Sequence, residues 1–289
     1  MLGHMETLRA DVIKNGNDMN IQSTTQQNDR LSRAAEMFVH ARRTLSLLED
    51  LPEELRPRTL DEAYAVQDRV AGLFGPIGGY KIGAPTPEAA PLFGPMPLFD
   101  LSLRSDGFPR VAAGEEILIG GPLRRMRGME AEICFLLGRD LPPRETPYTR
   151  EEVVAAIASA HPGLELLESA FVNPDKVERL TMMGDLQING GYVLGPALPG
   201  WQAVDLTRES VEVTVDGEVR FRGTASNAAG TDLLRLVVYL TNEGAARTGG
   251  LRAGQVITTG SWSGKTLAEA GSVAQIHFNT FGGVKIRFE

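Results

Sequence analysis

The residue pattern of the chain changes after Gly75, where short apolar runs begin to alternate with glycine and proline. This pattern is typical of β-strands separated by turns. The runs that we interpret as strands are Tyr80–Ile82, Glu116–Ile119, Glu132–Leu137, Gly191–Leu194, Val211–Val215, Gln255–Thr259, Val273–Phe278 and Val284–Phe288. Only Glu151–Ala160 and Asp232–Arg247 look helical in this region. Strands and helices therefore do not alternate as in a doubly wound sheet, and we expect an α+β fold with a mixed or antiparallel β core.

Two helices are predicted before this β-rich region. Ser32–Leu48 has apolar residues at helical spacing, and Thr59–Leu73 begins with a threonine followed three residues later by Glu62, which predicts a capping box. Residues 1–28 are polar, and Gly-His-Met at 3–5 is similar to the remnant of an expression tag. We therefore expect a polar leader over 1–28 and one catalytic domain over 29–289, divided into a helical part (29–77) and a β-rich part (78–289).

Charge and cysteine content exclude several classes of partner. The formal net charge is −8, with acidic and basic residues interspersed, which argues against nucleic acid or an anionic membrane as partner. Cys134 is the single cysteine, so the chain has no internal disulfide and suits a reducing compartment. No apolar run is long enough to span a membrane, and the first residues have no secretory pattern. We expect a cytoplasmic protein that acts on a small molecule.

Two glutamates, Glu130 and Glu132, lie one residue apart in a predicted strand, and Glu165 follows 33 positions after the second. The period of two along a strand places the first two carboxylates on one face. Like charges this close repel unless a cation lies between them, and carboxylate oxygens suit a hard ion such as Mg²⁺ or Mn²⁺. The alternative is a solvated strand face whose carboxylates pair with the arginines at 124, 125 and 127.

Other patterns are weaker. Residues 260–266 nearly match a phosphate-binding loop, but the glycines are one residue too close and the following segment is too short for the required helix. We interpret this segment as a tight turn whose side chains face a pocket. The histidines show no spacing that suggests a catalytic triad, and Cys134, between apolar neighbours in a predicted strand, is interpreted as a buried, inert thiol.

A series of motifs follows in order along residues 55–289. They are Asp61–Gln67, Gly79–Gly83, Glu130 and Glu132 with Phe135–Leu141, Gly163–Glu165, Asp185–Gly195, Leu240–Asn242 with Leu251–Gln255, and Thr258–Ser261. Taken together, this series resembles the fumarylacetoacetate hydrolase superfamily. It is most similar to the branch of 2-keto-4-pentenoate hydratases and 4-oxalocrotonate decarboxylases.

The resemblance implies a rolled, mixed β-sandwich with the N-terminal helices packed beside it, and a homo-oligomer. It assigns Mg²⁺ or Mn²⁺ to three ligands: Glu130, Glu132 and Glu165. Lys81 would bind the substrate carboxylate and move protons, while Ser261 and Gln187 would bind the substrate. A partly desolvated amine can titrate low enough for such proton transfer. From position alone, Lys81 would be a surface lysine at a strand end, and Ser261 a simple turn serine.

The reaction implied is hydration of a 2-hydroxypenta-2,4-dienoate-type substrate to a 4-hydroxy-2-oxo acid, in the catabolism of aromatic compounds. Three alternatives stay open. Decarboxylation of a 2-oxo-3-enedioate requires an extra cation for the second carboxylate, for which Lys265 or an arginine is available. Hydrolysis of an acylpyruvate requires a base that activates water, and His40 with Arg43 does not reproduce the His–Glu pair of such hydrolases. The third is a small-acid binding protein without catalysis.

Two segments depart from the hydratase pattern. Where hydratases usually have an acidic residue shortly after a glycine, Gly94 is followed by Pro-Met-Pro-Leu, and Asp100 comes late. Where they often have Asp-Asn-Ala-Ser, this chain has Asp-Leu-Gln-Ile at 185–188. Both changes remove polar groups that could handle water or protons. The motifs therefore predict enolate chemistry and leave the substrate open.

Overall fold

The computed structural model describes residues 26–98, 107–120 and 125–289. Its helices are α1 (26–44), α2 (Leu60–Phe74), α3 (Arg150–Ala156), α4 (Arg179–Gly184), α5 (Leu233–Asn242) and α6 (Ala245–Thr248). Its strands are β1 (Ile77–Gly83), β2 (Leu92–Pro97), β3 (Glu116–Ile119), β4 (Gly128–Leu137), β5 (Ile157–Leu167), β6 (Asn189–Leu194), β7 (Ser210–Val215), β8 (Glu218–Thr224), β9 (Val256–Ser261), β10 (Thr266–Leu267), β11 (Val273–Phe278) and β12 (Gly282–Phe288). None of the helices in these ranges has the length and apolar character needed to cross a membrane.

The strands form two mixed sheets. The first has the order β2-β1-β9-β4-β5-β6, with β10 paired to β4, and the second has the order β3-β12-β11-β7-β8. β1 is parallel to β9 and β3 is parallel to β12. The other pairs of named strands are antiparallel. The predicted α+β class with a mixed β core and N-terminal helices is confirmed.

The period of two along β4 separates the core from the glutamate-bearing face. Alternate residues from 129 to 137 are buried in a hydrophobic cluster that also contains Ile276 and Phe278 of the second sheet. The intervening positions carry Glu130 and Glu132 on the opposite face. Because each buried aromatic or branched side chain contributes about 1.5–3 kcal/mol, a slip of one residue in β4 would be costly, and the register of the glutamates is therefore well fixed.

The two N-terminal helices pack against the chain that follows β5. A second hydrophobic cluster joins Phe38 of α1 and Val66 of α2 to Phe171 and Leu186. The rings of Phe38 and Phe171 meet edge to face, with centroids 5.4 Å apart. The helices therefore support the segment that leads from β5 to β6, which borders the glutamate-bearing face.

Several predicted helix ends differ from the structure. The helix predicted over 151–160 is α3 only as far as Ala156, because residues from Ile157 onward pair with β4 and Ala160 is fully buried. Tertiary pairing overrides local helical preference there. The helix predicted over 232–247 is interrupted between α5 and α6, and the one predicted over 32–48 is already helical at residue 26 and ends at residue 44.

The predicted capping box of α2 forms only in part. The Thr59 hydroxyl accepts the Glu62 N–H at 3.2 Å, as predicted. The Glu62 carboxylate instead accepts the N–H of Arg58 at 2.7 Å and pairs with Arg30 of α1. This carboxylate therefore joins the two N-terminal helices in addition to capping one of them.

Gly79 allows β1 to lie close enough to β9 to place Lys81. A Cβ atom at this position would lie 1.9 Å from the Val256 carbonyl oxygen. We expect Gly79→Ala to destabilise the fold by at least about 2 kcal/mol, because neither backbone can move freely. Gly72→Ala, in α2 with open space around it, is the control and should stabilise by about 0.5–1 kcal/mol. Equal unfolding midpoints for the two variants in urea would contradict this packing.

Candidate metal centre

Sheet register brings the three glutamates together. Glu130 of β4 lies opposite Glu165 of β5, and Glu132 lies opposite Ser261 of β9. Each glutamate offers a carboxylate oxygen, and these oxygens lie within 4.8 Å of one another. Directly opposed like charges destabilise a sheet. An arrangement of this kind is therefore explained by a cation rather than by packing alone.

Glu132 and Glu165 are buried and incompletely hydrogen-bonded, and Glu130 is half-buried. Oε1 of Glu165 accepts Lys81 Nζ at 2.6 Å and Asn189 Nδ2 at 2.8 Å. The Gly260 backbone lies near the Glu132 carboxylate and lowers its pKa, against the larger effect of burial. The other oxygen of both glutamates, Oε2, is buried and has no partner among the described residues. Because an unsatisfied buried acceptor costs about 1–3 kcal/mol, and more when charged, this hard-oxygen donor set fits a divalent ion such as Mg²⁺ or Mn²⁺.

Electrostatics favour the same interpretation. Burial, together with the charge of Glu165, raises the pKa of Glu130 to about 7 and the pKa of Glu132 well above its usual range. Burial alone would lower the pKa of Lys81, but the three glutamates, Glu165 foremost, raise it above its ordinary value. In this arrangement Lys81 is a cation, so it donates protons or binds an anion. With no ion between the carboxylates, this direction of the pKa shift is opposite to the lowered pKa considered from the sequence.

The cluster opens into a cavity of about 260 Å³. Its polar lining consists of Lys81, Glu130, Glu132, Arg179, Gln187 and Ser261, and its apolar lining includes Ile82 and Leu92. A larger cavity, of about 490 Å³, lies on the opposite face of β4 against Ile133 and Phe135. The glutamate cluster does not reach that cavity, so the smaller one is the candidate active site.

The two predicted substrate-binding residues both line this cavity. Ser261 Oγ accepts the Gly264 N–H at 2.9 Å, which leaves its hydroxyl hydrogen available to donate. Gln187 lines the cavity, and its backbone oxygen accepts Lys81 Nζ at 3.2 Å. Residues 260–266 connect β9 to β10 without a following helix. That geometry agrees with the tight turn that we predicted there.

Lys265, considered from the sequence as a cation for a second carboxylate, has another partner. Its Nζ lies 2.6 and 2.7 Å from the two carboxylate oxygens of Asp175. Arg179, which the sequence did not single out, is exposed, lines the cavity and has no ion pair within the described ranges. No motif surrounds it, so only the folded chain identifies it. Asn189 was part of a quoted motif, but its bond to Glu165 depends on the pairing of β5 with β6.

Cys134 follows Glu132 on the same face of β4 and is fully buried. Burial raises the pKa of its thiol to about 12, so the thiolate is absent near neutral pH. Its Sγ contacts the backbone oxygen of His161 at 3.7 Å. The interpretation of this cysteine as an inert, buried thiol is supported.

Glu130 should make the metal-free protein less stable as pH rises. Its folded pKa of about 7 exceeds the ordinary 4.5, so its contribution is fully present below about pH 4.5 and is lost as pH rises through about 7. Relative to wild type in EDTA, Glu130→Gln should therefore gain free energy of unfolding between about pH 5 and pH 8. Urea unfolding across that range measures the difference. A difference independent of pH would contradict the raised pKa.

The fold and site together define a mixed β-sandwich with a glutamate trio and a lysine at one cavity. The model of the fumarylacetoacetate (FAA) hydrolase C-terminal family matches residues 110–289. The chain therefore belongs to the fumarylacetoacetate hydrolase family of enzymes. The resemblance seen in the motifs is confirmed.

Individual relatives are more distant. A 2-keto-4-pentenoate hydratase from Paraburkholderia xenovorans is 25% identical over 281 residues, which cover 92% of this chain and 96% of that protein. A structure of 4-oxalocrotonate decarboxylase from Pseudomonas putida, complexed with magnesium and adipate, has a TM-score of 0.73 at 21% identity, covering 90% of this chain and 98% of that one. Fumarylpyruvate hydrolase from Pseudomonas aeruginosa, in complex with Mn²⁺ and pyruvate, has a TM-score of 0.50 at 19% identity, covering 72% and 88%. At these identities the structures establish the fold alone.

Proposed function

We propose that the protein is a divalent-metal-dependent hydratase that converts a 2-hydroxypenta-2,4-dienoate-type substrate to a 4-hydroxy-2-oxo acid. The observation that carries the proposal is the cluster of the half-buried Glu130 with the buried Glu132 and Glu165, which has two unpartnered oxygens and lies beside the cationic Lys81. The similarity to a 2-keto-4-pentenoate hydratase over nearly the whole chain supports this choice of reaction. The metal-bound structures of distant relatives support a divalent ion, Mg²⁺ or Mn²⁺.

Glu130, Glu132 and Glu165 would hold the ion. When bound, it would supply positive charge where negative charge develops on the enolate oxygen, which is the step that such a reaction requires. Lys81 contributes a cationic donor beside this cluster, because its Nζ is held between Glu165 and the Gln187 carbonyl. It would bind the substrate carboxylate or pass a proton to carbon.

The reaction needs two proton transfers to carbon and one addition of water. The dienol gains a proton at C5 and loses its hydroxyl proton, which yields the conjugated 2-oxo acid. Water then adds, with its hydroxyl at C4 and a proton at C3. Ser261 and Gln187 would orient the substrate by hydrogen bonds, since both residues line the cavity and the Ser261 hydroxyl hydrogen has no acceptor among the described residues.

Arg179 favours a second candidate function, decarboxylation of a 2-oxo-3-enedioate. This arginine adds a second cationic side chain to the cavity lining, beside Lys81, and has no described ion-pair partner. A planar guanidinium binds carboxylates well, so it could bind the second carboxylate of a dicarboxylic substrate. The fold shared with 4-oxalocrotonate decarboxylase is compatible with this reaction.

One assay separates the candidates. Purified protein is mixed with 2-hydroxypenta-2,4-dienoate, with Mg²⁺ or with EDTA, and loss of the dienol absorbance is followed together with formation of the 4-hydroxy-2-oxo acid. Metal-dependent formation of that product is the expected result. Release of carbon dioxide from a 2-oxo-3-enedioate, lost in Arg179→Gln, would favour the decarboxylase. Absence of any metal-dependent turnover would contradict both and leave a small-acid binding protein.

Two further expectations belong to this proposal. The enzyme is expected to form a homo-oligomer and to act in the cytoplasm, where its single cysteine stays reduced. Light scattering of the purified protein tests the first, and cell fractionation tests the second.

A further inference from the structure

The turn between α4 and β6 has a rare backbone conformation. Leu186, Gln187 and Ile188 have φ values of 56°, 52° and 57°. The left-handed region is unfavourable for L-residues, by roughly 1–2 kcal/mol each, and a β-branched residue such as isoleucine is an outlier there. Three in succession persist only when the surroundings hold them. Strain of this kind suggests a functional reason for the turn.

The turn positions both partners of the central ion pair. Its middle residue, Gln187, offers the backbone oxygen that accepts Lys81 Nζ. Asn189, directly after the turn, donates its side-chain amide to Oε1 of Glu165 at 2.8 Å. The same oxygen of Glu165 accepts Lys81 Nζ. A shift of the turn would therefore move the Gln187 carbonyl, which holds the Lys81 amine, and the Asn189 amide, which holds the Glu165 carboxylate.

Arg42 of α1 lies outside the active-site cavity and hydrogen-bonds the residues on both sides of this turn. Its Nε donates to Asp185 Oδ1 at 2.6 Å, and its Nη2 donates to the Asp185 carbonyl at 2.7 Å. Its Nη1 donates to the Asn189 carbonyl at 2.7 Å, on the other side of the turn. Nη2 also donates to the carbonyl of Glu168, whose own N–H donates to the Ile188 carbonyl at 2.8 Å. One guanidinium thus fixes the residues before and after the turn.

The hydrogen-bond network of Arg42 and Asp185 is buried, and both oxygens of the Asp185 carboxylate accept hydrogen bonds. The side chain of Arg42 is 1% exposed and that of Asp185 is 0% exposed. The second carboxylate oxygen of Asp185 accepts the Ser169 hydroxyl at 2.7 Å and the Ala170 N–H at 2.8 Å. Arg42 lies outside residues 110–289, which the family model matches. Helix α1 therefore contributes to the active site through a residue that the family match does not include.

We propose that Arg42 is a positioning residue that holds the left-handed turn 186–188, and through it Lys81 and Glu165, in the geometry required for turnover. This inference rests on the proposed function, because it assumes that Lys81 and Glu165 act together at the metal centre. Arg42 itself touches neither the cavity nor a substrate. Its effect passes through the backbone of the turn.

The test uses Arg42→Lys, which keeps the buried positive charge so that the chain can fold, but cannot reach four acceptors with one compact ammonium. The control is Arg43→Lys, the next residue of α1, whose Nη2 donates to the Leu73 carbonyl of α2 and not to the turn. We expect kcat to fall about 10- to 100-fold in Arg42→Lys with a smaller change in KM, and to stay unchanged in Arg43→Lys.

A rescue variant separates positioning from simple structural support. Ile188→Gly removes the penalty of the left-handed conformation without touching Lys81 or Glu165. In the Arg42→Lys background it should restore most of the lost kcat, and this gain should exceed any change in kcat that Ile188→Gly causes alone. Unchanged kcat in Arg42→Lys, or a loss that Ile188→Gly does not restore, would overturn the proposal.

A second readout remains informative if the wild-type protein shows no turnover. Amide hydrogen exchange of residues 186–189 in metal-free protein should be faster in Arg42→Lys than in wild type or Arg43→Lys. Mn²⁺ affinity measured by calorimetry should be about 10-fold weaker and should recover with Ile188→Gly. If the wild type shows no turnover but Arg42→Lys exchanges faster and binds Mn²⁺ more weakly, the proposed hydratase activity is contradicted and the positioning role of Arg42 is retained. Unchanged hydrogen exchange and unchanged Mn²⁺ affinity in Arg42→Lys would overturn the positioning role.

Discussion

Glu132→Gln is expected to weaken Mn²⁺ binding by at least about 100-fold and to abolish metal-dependent turnover, because loss of a ligand costs more than loss of an outer-shell partner. The carboxylate of Glu132 is 2% exposed, and one of its oxygens has no described partner. That oxygen is the atom best explained by an ion. An amide retains the shape of the side chain and removes its negative charge. Titration calorimetry with Mn²⁺ measures the change directly.

The same substitution should raise the unfolding temperature of the metal-free protein. Burial and the charge of Glu165 raise the pKa of Glu132 well above its usual range. Near pH 8 the Glu132 carboxyl ionises freely in the unfolded chain but at a cost in the folded state, so this residue destabilises the metal-free fold. The neutral amide of the variant removes that cost. Wild type should gain about 2.7 kcal/mol when Mn²⁺ is present at 100 times the wild-type Kd, and the variant should gain at most about 0.4 kcal/mol at the same concentration. Glu269→Gln, at an exposed position, is the control. A variant stabilised by Mn²⁺ as much as wild type would contradict the assignment of Glu132 as a ligand.

The second large effect is expected from Lys81→Met, which should lower kcat by about 10²- to 10⁴-fold. The amine of Lys81 lies 2.6 Å from Glu165, whose side chain is fully buried. Without this cation, Glu165 is a buried carboxylate whose remaining hydrogen-bond donor among the described residues is Asn189. The metal-free variant should therefore lose about 3–5 kcal/mol of unfolding free energy. Mn²⁺ should restore stability but not kcat.

Lys285→Met is the control for this experiment. Lys285 lies in the second sheet, 40% exposed, and pairs with Glu116 at 3.2 Å. A surface ion pair of this kind contributes about 0–1 kcal/mol, so activity should be unchanged. Lys81→Met with wild-type kcat would show that Lys81 is only a structural partner of Glu165.

The sequence predicted the candidate site better than it predicted the elements around it. The spacing of Glu130 and Glu132 indicates one face of one strand, because a strand has a period of two. The approach of Glu165 and Lys81 depends on strand register across β4–β5 and β1–β9. No local pattern encodes that register, so these residues came from the family resemblance rather than from spacing.

The strand β2 was missed for a physical reason. Leu92–Pro97 contains Gly94, Pro95 and Pro97, and proline within a run argues against a central strand. β2 is the outermost strand on its side of the first sheet, where missing N–H donors are tolerated. Asp100, which comes later than the acidic residue of the hydratase pattern, lies outside the described residues.

The contact of Arg42 with Asp185 and the left-handed turn 186–188 could not be predicted from local sequence at all. Arg42 and Asp185 are separated by 143 positions. Asp185 begins one of the motifs of the family resemblance, but nothing in that motif indicates Arg42 as its partner. Their pairing becomes visible only when α1 packs against the segment that follows β5. The left-handed conformation of 186–188 was equally hidden, since none of its residues is a glycine.

The central claim is that Glu130, Glu132 and Glu165 bind one divalent ion beside Lys81. A crystal structure with Mn²⁺, measured at a wavelength where manganese scatters anomalously, tests it most directly. We expect one anomalous peak within about 2.0–2.6 Å of an oxygen of each glutamate. An anomalous peak only at another position, or no peak at the three glutamates at saturating Mn²⁺, would contradict this claim.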